Sequence, residues 1–173
     1  MKKILTVALL LMSSVTHAKA PFGLEWGASK ADLVGEVGRD DTYTVFHDLY
    51  VPVPQSLYIN YTGYANESGL YAVAARTYII RDDYSGEKGR DSFYNTIRAL
   101  EKSNYKKTHS LIKSSKSNSD FYKCLRENAC NAYTWTGEDK DGDKVSARIE
   151  SLGSKSGYIL VQYIKKGLSI YGF

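Results

Sequence analysis

Cys124 and Cys130 are the only cysteines in the 173-residue chain, and their spacing limits what they can do. Zinc sites built on cysteine bring thiolates about two to four residues apart or add histidines, and neither pattern is present. No C-x-x-C redox pair occurs either. A cysteine pair in an oxidising compartment is read as a structural disulfide. Within one continuous helix the two Cα atoms would stand about 9 Å apart, too far to bridge. The bridge therefore predicts a turn within Leu125–Ala129. Closing that loop is worth about 2.4 kcal/mol if chain entropy alone is counted.

Asp139, Asp141, Asp143 and Glu150 imitate positions 1, 3, 5 and 12 of a calcium loop. The imitation fails at position 6, where the sharp turn needs glycine and the chain has Lys144. A hairpin turn through Asp141-Gly142 explains the same residues with the glycine in place. A two-residue turn would set Trp135 opposite Arg148. One more loop residue sets Trp135 beside Ala147 and Tyr133 beside Ile149, which buries the aromatics with the apolar face and is the register expected. His47 and His109 stand apart in sequence, and no G-x-S-x-G elbow is present. The reading carries no catalytic residue, no metal and no cofactor. A carboxylate pair of glycosidase type leaves no spacing signature, so a small envelope hydrolase stays as a second alternative.

Tyrosine is the unusual component, fifteen in all. It offers large contact area with few rotors and keeps a hydroxyl for hydrogen bonding, which suits interfaces. It also fits half-buried strands. In an uninterrupted strand Tyr58, Asn60, Thr62 and Tyr64 share one face, and this row is the candidate binding surface, with Tyr50 and Tyr71 as lesser members.

The elements that must position these residues follow from patterning. Lys2 and Lys3 precede an apolar run from Ile4 to Met12, then Ser13, Ser14 and small residues through Ala20. That is the layout of a bacterial-type secretory signal peptide. Its apolar run, about 13 Å long as a helix, is short of the ~30 Å hydrocarbon core. Cleavage after Ala18 is preferred because cleavage after Ala20 would leave Pro21 next to the scissile bond. Residues 1–18 are thus read as signal and 19–173 as a single domain, periplasmic or secreted, without an integral membrane segment once the signal is gone. The mature chain keeps 21 basic and 19 acidic residues, net +2, too little to indicate a nucleic-acid partner.

Phe22 to Gly27 reads as a short strand and Ser29 as the cap of a brief helix. Thr42 to Val53 is extended, with Pro52 and Pro54 confining it to an edge or loop. Leu57 to Thr62 and the apolar run Leu70 to Ile80 are strands, and Ala72, Ala74 and Ala75 would admit a helix close above them. Phe93, Ile97 and Leu100 recur at helical spacing and predict one long helix from Asp91 to Ser103. Lys106 to Asp120 is read as a loop, with a short strand through Leu111 as the alternative. The segments around Tyr133, Val145–Ile149 and Tyr158–Ile164 form a three-stranded meander, and the last, apolar on both faces, is central. The fold class is α+β: a mostly antiparallel sheet of about five to seven strands with the main helix on one face.

Phe22-Gly23-x-x-Trp26-Gly27-x-Ser29, the Gly69-Leu70 strand start, the single helix and the Cys124…Cys130 loop before a Trp-bearing meander together resemble small exported bacterial proteins. Some proteins of that build are inhibitors or immunity factors. The resemblance implies a non-catalytic protein-binding module with another envelope protein as partner. A binder of cell-wall glycan or lipid is the alternative, for which a row of aromatics at sugar spacing is expected.

Overall fold

The two strands that are apolar on both faces lie side by side at the middle of one eight-stranded sheet. The structure is a computed structural model and describes residues 18–39, 42–112, 121–127 and 133–169. Its strands are β1 (Glu36–Arg39), β2 (Thr44–His47), β3 (Tyr58–Asn66), β4 (Gly69–Thr77), β5 (Lys106–Leu111), β6 (Thr134–Glu138), β7 (Lys144–Ser151) and β8 (Gly157–Ile164). The order across the sheet is β1-β2-β3-β4-β8-β7-β6-β5, with every neighbouring pair antiparallel. Two four-stranded meanders therefore meet through β4 and β8. Helix α1 (Glu87–Lys102) separates them in sequence, and α2 (Phe121–Arg126) links β5 to β6. The α+β architecture with a C-terminal meander is as expected, but the sheet has eight strands rather than five to seven.

Alternation assigns the faces. Tyr61, Gly63, Val73, Ala75, Tyr163, Val161, Val145, Ala147 and Trp135 are paired across the strands and all buried, so they share the core face. Helix α1 crosses this face over β7 and β8, and α2 lies over β7. Phe93 of α1 and Phe121 of α2 both meet the Tyr133 ring edge-on, at 5.9 and 5.5 Å. The N-terminal segment covers the other half. Phe22 sits edge-on to Tyr58, Tyr61 and Tyr163 at 5.6, 4.8 and 5.3 Å, and Trp26, Leu33, Leu49 and Val51 complete the layer. A single helix thus did not have to cover the whole sheet.

The Asp141-Gly142 hairpin has the register that buries its aromatics, with Trp135 opposite Ala147. Asp139 and Asp143 close a three-residue loop whose Gly142 takes φ 88°, the left-handed position this turn reserves for glycine.

Several local expectations change. Pro21–Gly23 forms a 3-10 turn rather than a strand. Ser29 and Asp32 bond each other in a simple turn, with no helix between them. Lys106–Leu111, read as a loop with a short strand through Leu111 as the alternative, is a six-residue edge strand, and α2 was not expected at all. The main helix begins at Glu87, four residues before Asp91, because its first-turn N–H groups are capped from a distance. Asp83, 3 % exposed, accepts the N–H of Gly89 at 2.8 Å and of Lys88 at 3.3 Å. A carboxylate there also suits the positive end of the helix.

Candidate functional site: the open face of the sheet

The core face takes one residue of each strand pair, so the intervening residues line the opposite face, which neither helix covers. The register places them in rows running across the strands. The middle row is Thr62, Ala74, Gln162, Ser146 and Thr136, one residue each from β3, β4, β8, β7 and β6. Thr108, at a register shift in β5, extends it, its hydroxyl 3.0 Å from that of Thr136. On one side stands the row Asn60, Arg76, Leu160, Arg148 and Thr134, and on the other Tyr64, Ala72, Ile164, Lys144 and Glu138. Short side chains at the centre between longer ones make a trough. At strand spacing, its five strands span about 19 Å.

Gln162 is the one polar residue inside the apolar run of β8. It is 6 % exposed, flanked by the small Ala74 and Ser146, and its carboxamide oxygen has no hydrogen-bond partner. Arg76 likewise has a buried, unpartnered Nε, and its guanidinium lies 5.5 Å from the Tyr158 ring centre. Three buried side-chain polar atoms lack partners among the described residues, and two of them lie on this face. An unpaired buried polar atom is costly, commonly about 1–3 kcal/mol.

The walls carry a small positive excess, Arg76, Arg148 and Lys144 against Glu138 and Glu150. Arg148 pairs with Glu150 two residues along β7, and Lys144 stands opposite Glu138. Burial pushes the Tyr64 and Tyr158 hydroxyls above their ordinary pKa. Neighbouring Tyr43 and Glu150 respectively reinforce the rise, while Arg148 and, for Tyr158, Arg76 oppose it. Both tyrosines are therefore neutral hydrogen-bonding groups at physiological pH. Beyond Ser146 the trough opens into a cavity of about 440 Å³ lined by Thr136, Lys144, Ile164 and Leu168, among others.

The expected tyrosine row does not exist as a row. Register shifts between Tyr58 and Asn60, so Ile59 is an extra residue and the alternation inverts. Tyr58 turns into the core, 6 % exposed, and burial raises its pKa to about 12. Asn60, Thr62 and Tyr64 do share the open face. Asn60 donates to the Asp48 carboxylate, and Tyr64 packs edge-on to Tyr43 at 5.9 Å. Tyr71, 7 % exposed, is buried with Ala72 and Ile164 at the end of the face. Tyr50 is 66 % exposed, but its N–H bonds to Val34 beside β1, at the far margin of the sheet. The alanines expected beneath a helix divide: Ala75 faces the core, Ala74 lies in the middle row, and Ala72 is buried in the flanking row beside Tyr64 and Ile164.

The carboxylates of the calcium-like stretch have other partners. Asp139 accepts the N–H groups of Asp141 at 2.9 Å and Asp143 at 3.0 Å. Asp143 accepts the Trp26 indole N–H at 2.5 Å and the Lys166 N–H at 2.9 Å. Trp26 thereby ties the N-terminal segment to the hairpin. His47 and His109 lie on β2 and β5, at opposite ends of the sheet. Cys124 is half-buried in α2, and Cys130 lies outside the described residues, so the expected bridge is not described.

Gln162, Arg76, Ser146 and Thr136 are the members of the face that sequence reading missed. The available signal was Gln162 itself, a lone carboxamide in a strand otherwise apolar on both faces. Among the described residues no helix is long and apolar enough to cross a membrane. Comparison with protein-family models, with curated proteins and with solved structures found no match for this chain.

Proposed function

We propose that this is an exported, non-catalytic binding protein of the cell envelope that receives its partner on the open sheet face. The observation that carries the reading is the run of partly exposed hydroxyl side chains, Thr62, Ser146, Thr136 and Thr108, on a face that neither helix covers and beside a cavity of about 440 Å³. The residues of the trough come from five strands of a rigid sheet, so the surface is already ordered before binding and little entropy is lost on contact. The tyrosine-centred inhibitor or immunity-type surface expected from sequence loses Tyr58 and Tyr71 to the core, which moves the proposed contact onto the trough.

The experiment is retention of the mature protein by isolated cell envelopes from cells lacking it. Ser146→Arg and Thr136→Arg fill the trough with long side chains and are expected to weaken retention about tenfold with little change in melting temperature. Tyr94→Ala, on the exposed side of α1, should have no effect. If all four proteins sediment alike, the open face is not where the partner binds.

Export and the Cys124–Cys130 bridge belong to the same proposal. The intact mass of protein recovered from the periplasm should correspond to a chain starting at Lys19 or Pro21 and two hydrogens lighter than the fully reduced form. A full-length cytoplasmic chain would end the export reading, and the fully reduced mass would end the bridge.

A further inference from the structure

We infer that docking of Trp26 closes the leader-processing site, so that the Ala18–Lys19 bond is open to a peptidase only before the N-terminal segment folds onto the sheet. The inference rests on the export reading and adds the order of events at the cut. Hydrolysis of that amide consumes one water and leaves a carboxylate on Ala18 and an amine on Lys19. The peptidase adds a nucleophile to the Ala18 carbonyl carbon while its hydrogen-bond donors take up the negative charge developing on the oxygen. In the folded chain that oxygen already has a donor: the Trp26 backbone N–H stands 2.9 Å from it. Trp26 is 2 % exposed, so the oxygen is turned toward the protein rather than toward an enzyme. Cleavage removes Ala18, and this bond therefore belongs to the uncleaved chain alone.

The same carbonyl belongs to a small loop that holds both candidate bonds. Lys19 pairs antiparallel with Glu25 across the Pro21–Gly23 turn, and the Ala20 N–H donates to the Leu24 carbonyl at 3.0 Å. The other candidate bond, Ala20–Pro21, lies inside this loop as well. Recognition of a peptide by strand addition needs an extended segment with free backbone groups. Residues 18–20 meet that need only when the loop is open. Three anchors keep it shut. Phe22 packs edge-on to Tyr58, Tyr61 and Tyr163, the Trp26 indole donates to Asp143, and the Gly27 N–H donates to the Leu70 carbonyl. All of these partners belong to the sheet or to its β6–β7 hairpin, so the loop closes only once the sheet has formed. A peptide carrying the junction alone lacks every one of them.

The test offers two substrates to the soluble catalytic domain of a bacterial signal peptidase under native conditions: the full-length chain, folded beforehand, and a peptide of residues 1–30. The peptide should be cut after Ala18. The folded chain should be cut at least about tenfold more slowly, because cleavage then waits on local opening. Asp143→Ala removes the acceptor of the Trp26 indole and should speed cleavage of the folded chain about threefold or more, with near-UV circular dichroism reporting that it is folded. If that variant does not fold, Trp26→Phe, which keeps a ring but has no N–H to donate, takes its place. Equal rates for the folded chain and the peptide overturn the inference and leave export standing. An unchanged rate in the folded variant also overturns it, since something other than Trp26 docking then shuts the junction. Cleavage of the peptide after Ala20 alone overturns the assignment to the Ala18 carbonyl. If the peptide is cut at neither bond, the export reading falls and this inference with it.

Discussion

Gly69→Ala is expected to destabilise the folded protein by about 3–5 kcal/mol. Gly69 opens β4 at φ 91°, where a residue with a Cβ is strained by about 1–2 kcal/mol. The added carbon would also stand 2.3 Å from the Gly27 carbonyl oxygen and 2.6 Å from that of Ala28. Both are backbone atoms and cannot rotate away. The hydrogen bonds there, Gly27 N–H to Leu70 at 2.8 Å and Leu70 N–H to Ala28 at 2.9 Å, join the N-terminal segment to the sheet. Pushing them apart lifts Trp26 from its site and with it the cover over half the core. Denaturant unfolding should show a lower midpoint with little change in slope. A loss below about 1 kcal/mol would mean that the segment is not anchored at this point.

The second large effect is expected at Asp83. Its carboxylate holds three groups: the Gly89 and Lys88 N–H groups of α1 and, at 2.9 Å, the Tyr122 hydroxyl of α2. Gly89 is needed for this convergence, since a Cβ there would meet the Tyr122 hydroxyl at 2.4 Å. Burial, and next the bond to Asp83, push the Tyr122 hydroxyl well above its ordinary pKa, so it donates throughout the physiological range. Asp83→Ala should cost about 3–4 kcal/mol, because it strands a buried helix N–H and a buried phenol together. Tyr122→Phe removes one bond of three and should cost about 1–1.5 kcal/mol. The double variant should cost clearly less than the sum, as the two share one interaction. Simple additivity would show that α1 and α2 are not coupled through this carboxylate.

Neither of these sites is legible in sequence, because each depends on segments far apart in the chain. Helix periodicity correctly predicted α1 from Phe93, Ile97 and Leu100, but its start was placed at Asp91 by looking for a local cap. The actual capping carboxylate lies outside the helix and is held by α2. The strands fared better where alternation was strong. Val145, Ala147 and Ile149 determined the face of β7, and the need to bury Trp135 and Tyr133 selected the hairpin register. The apolar run of β8 announced a central strand, and it lies beside β4 at the centre of the sheet.

The binding face shows the limit. Alternation says which residues of one strand share a side, but not which strand lies alongside. Ala74 and Gln162 are neighbours only because β4 pairs with β8 across the whole second meander, and no local pattern encodes that pairing. Alternation also has no memory across a bulge: one extra residue at Ile59 turned Tyr58 from the predicted surface row into the core. The sequence alone determined the last three strands of the C-terminal meander, the existence of one main helix and the α+β class, because these follow from local periodicity. The tertiary structure decided the strand order, the cap of α1 and the row in which Gln162 sits, because each is an energy shared between residues that the chain brings together only when folded.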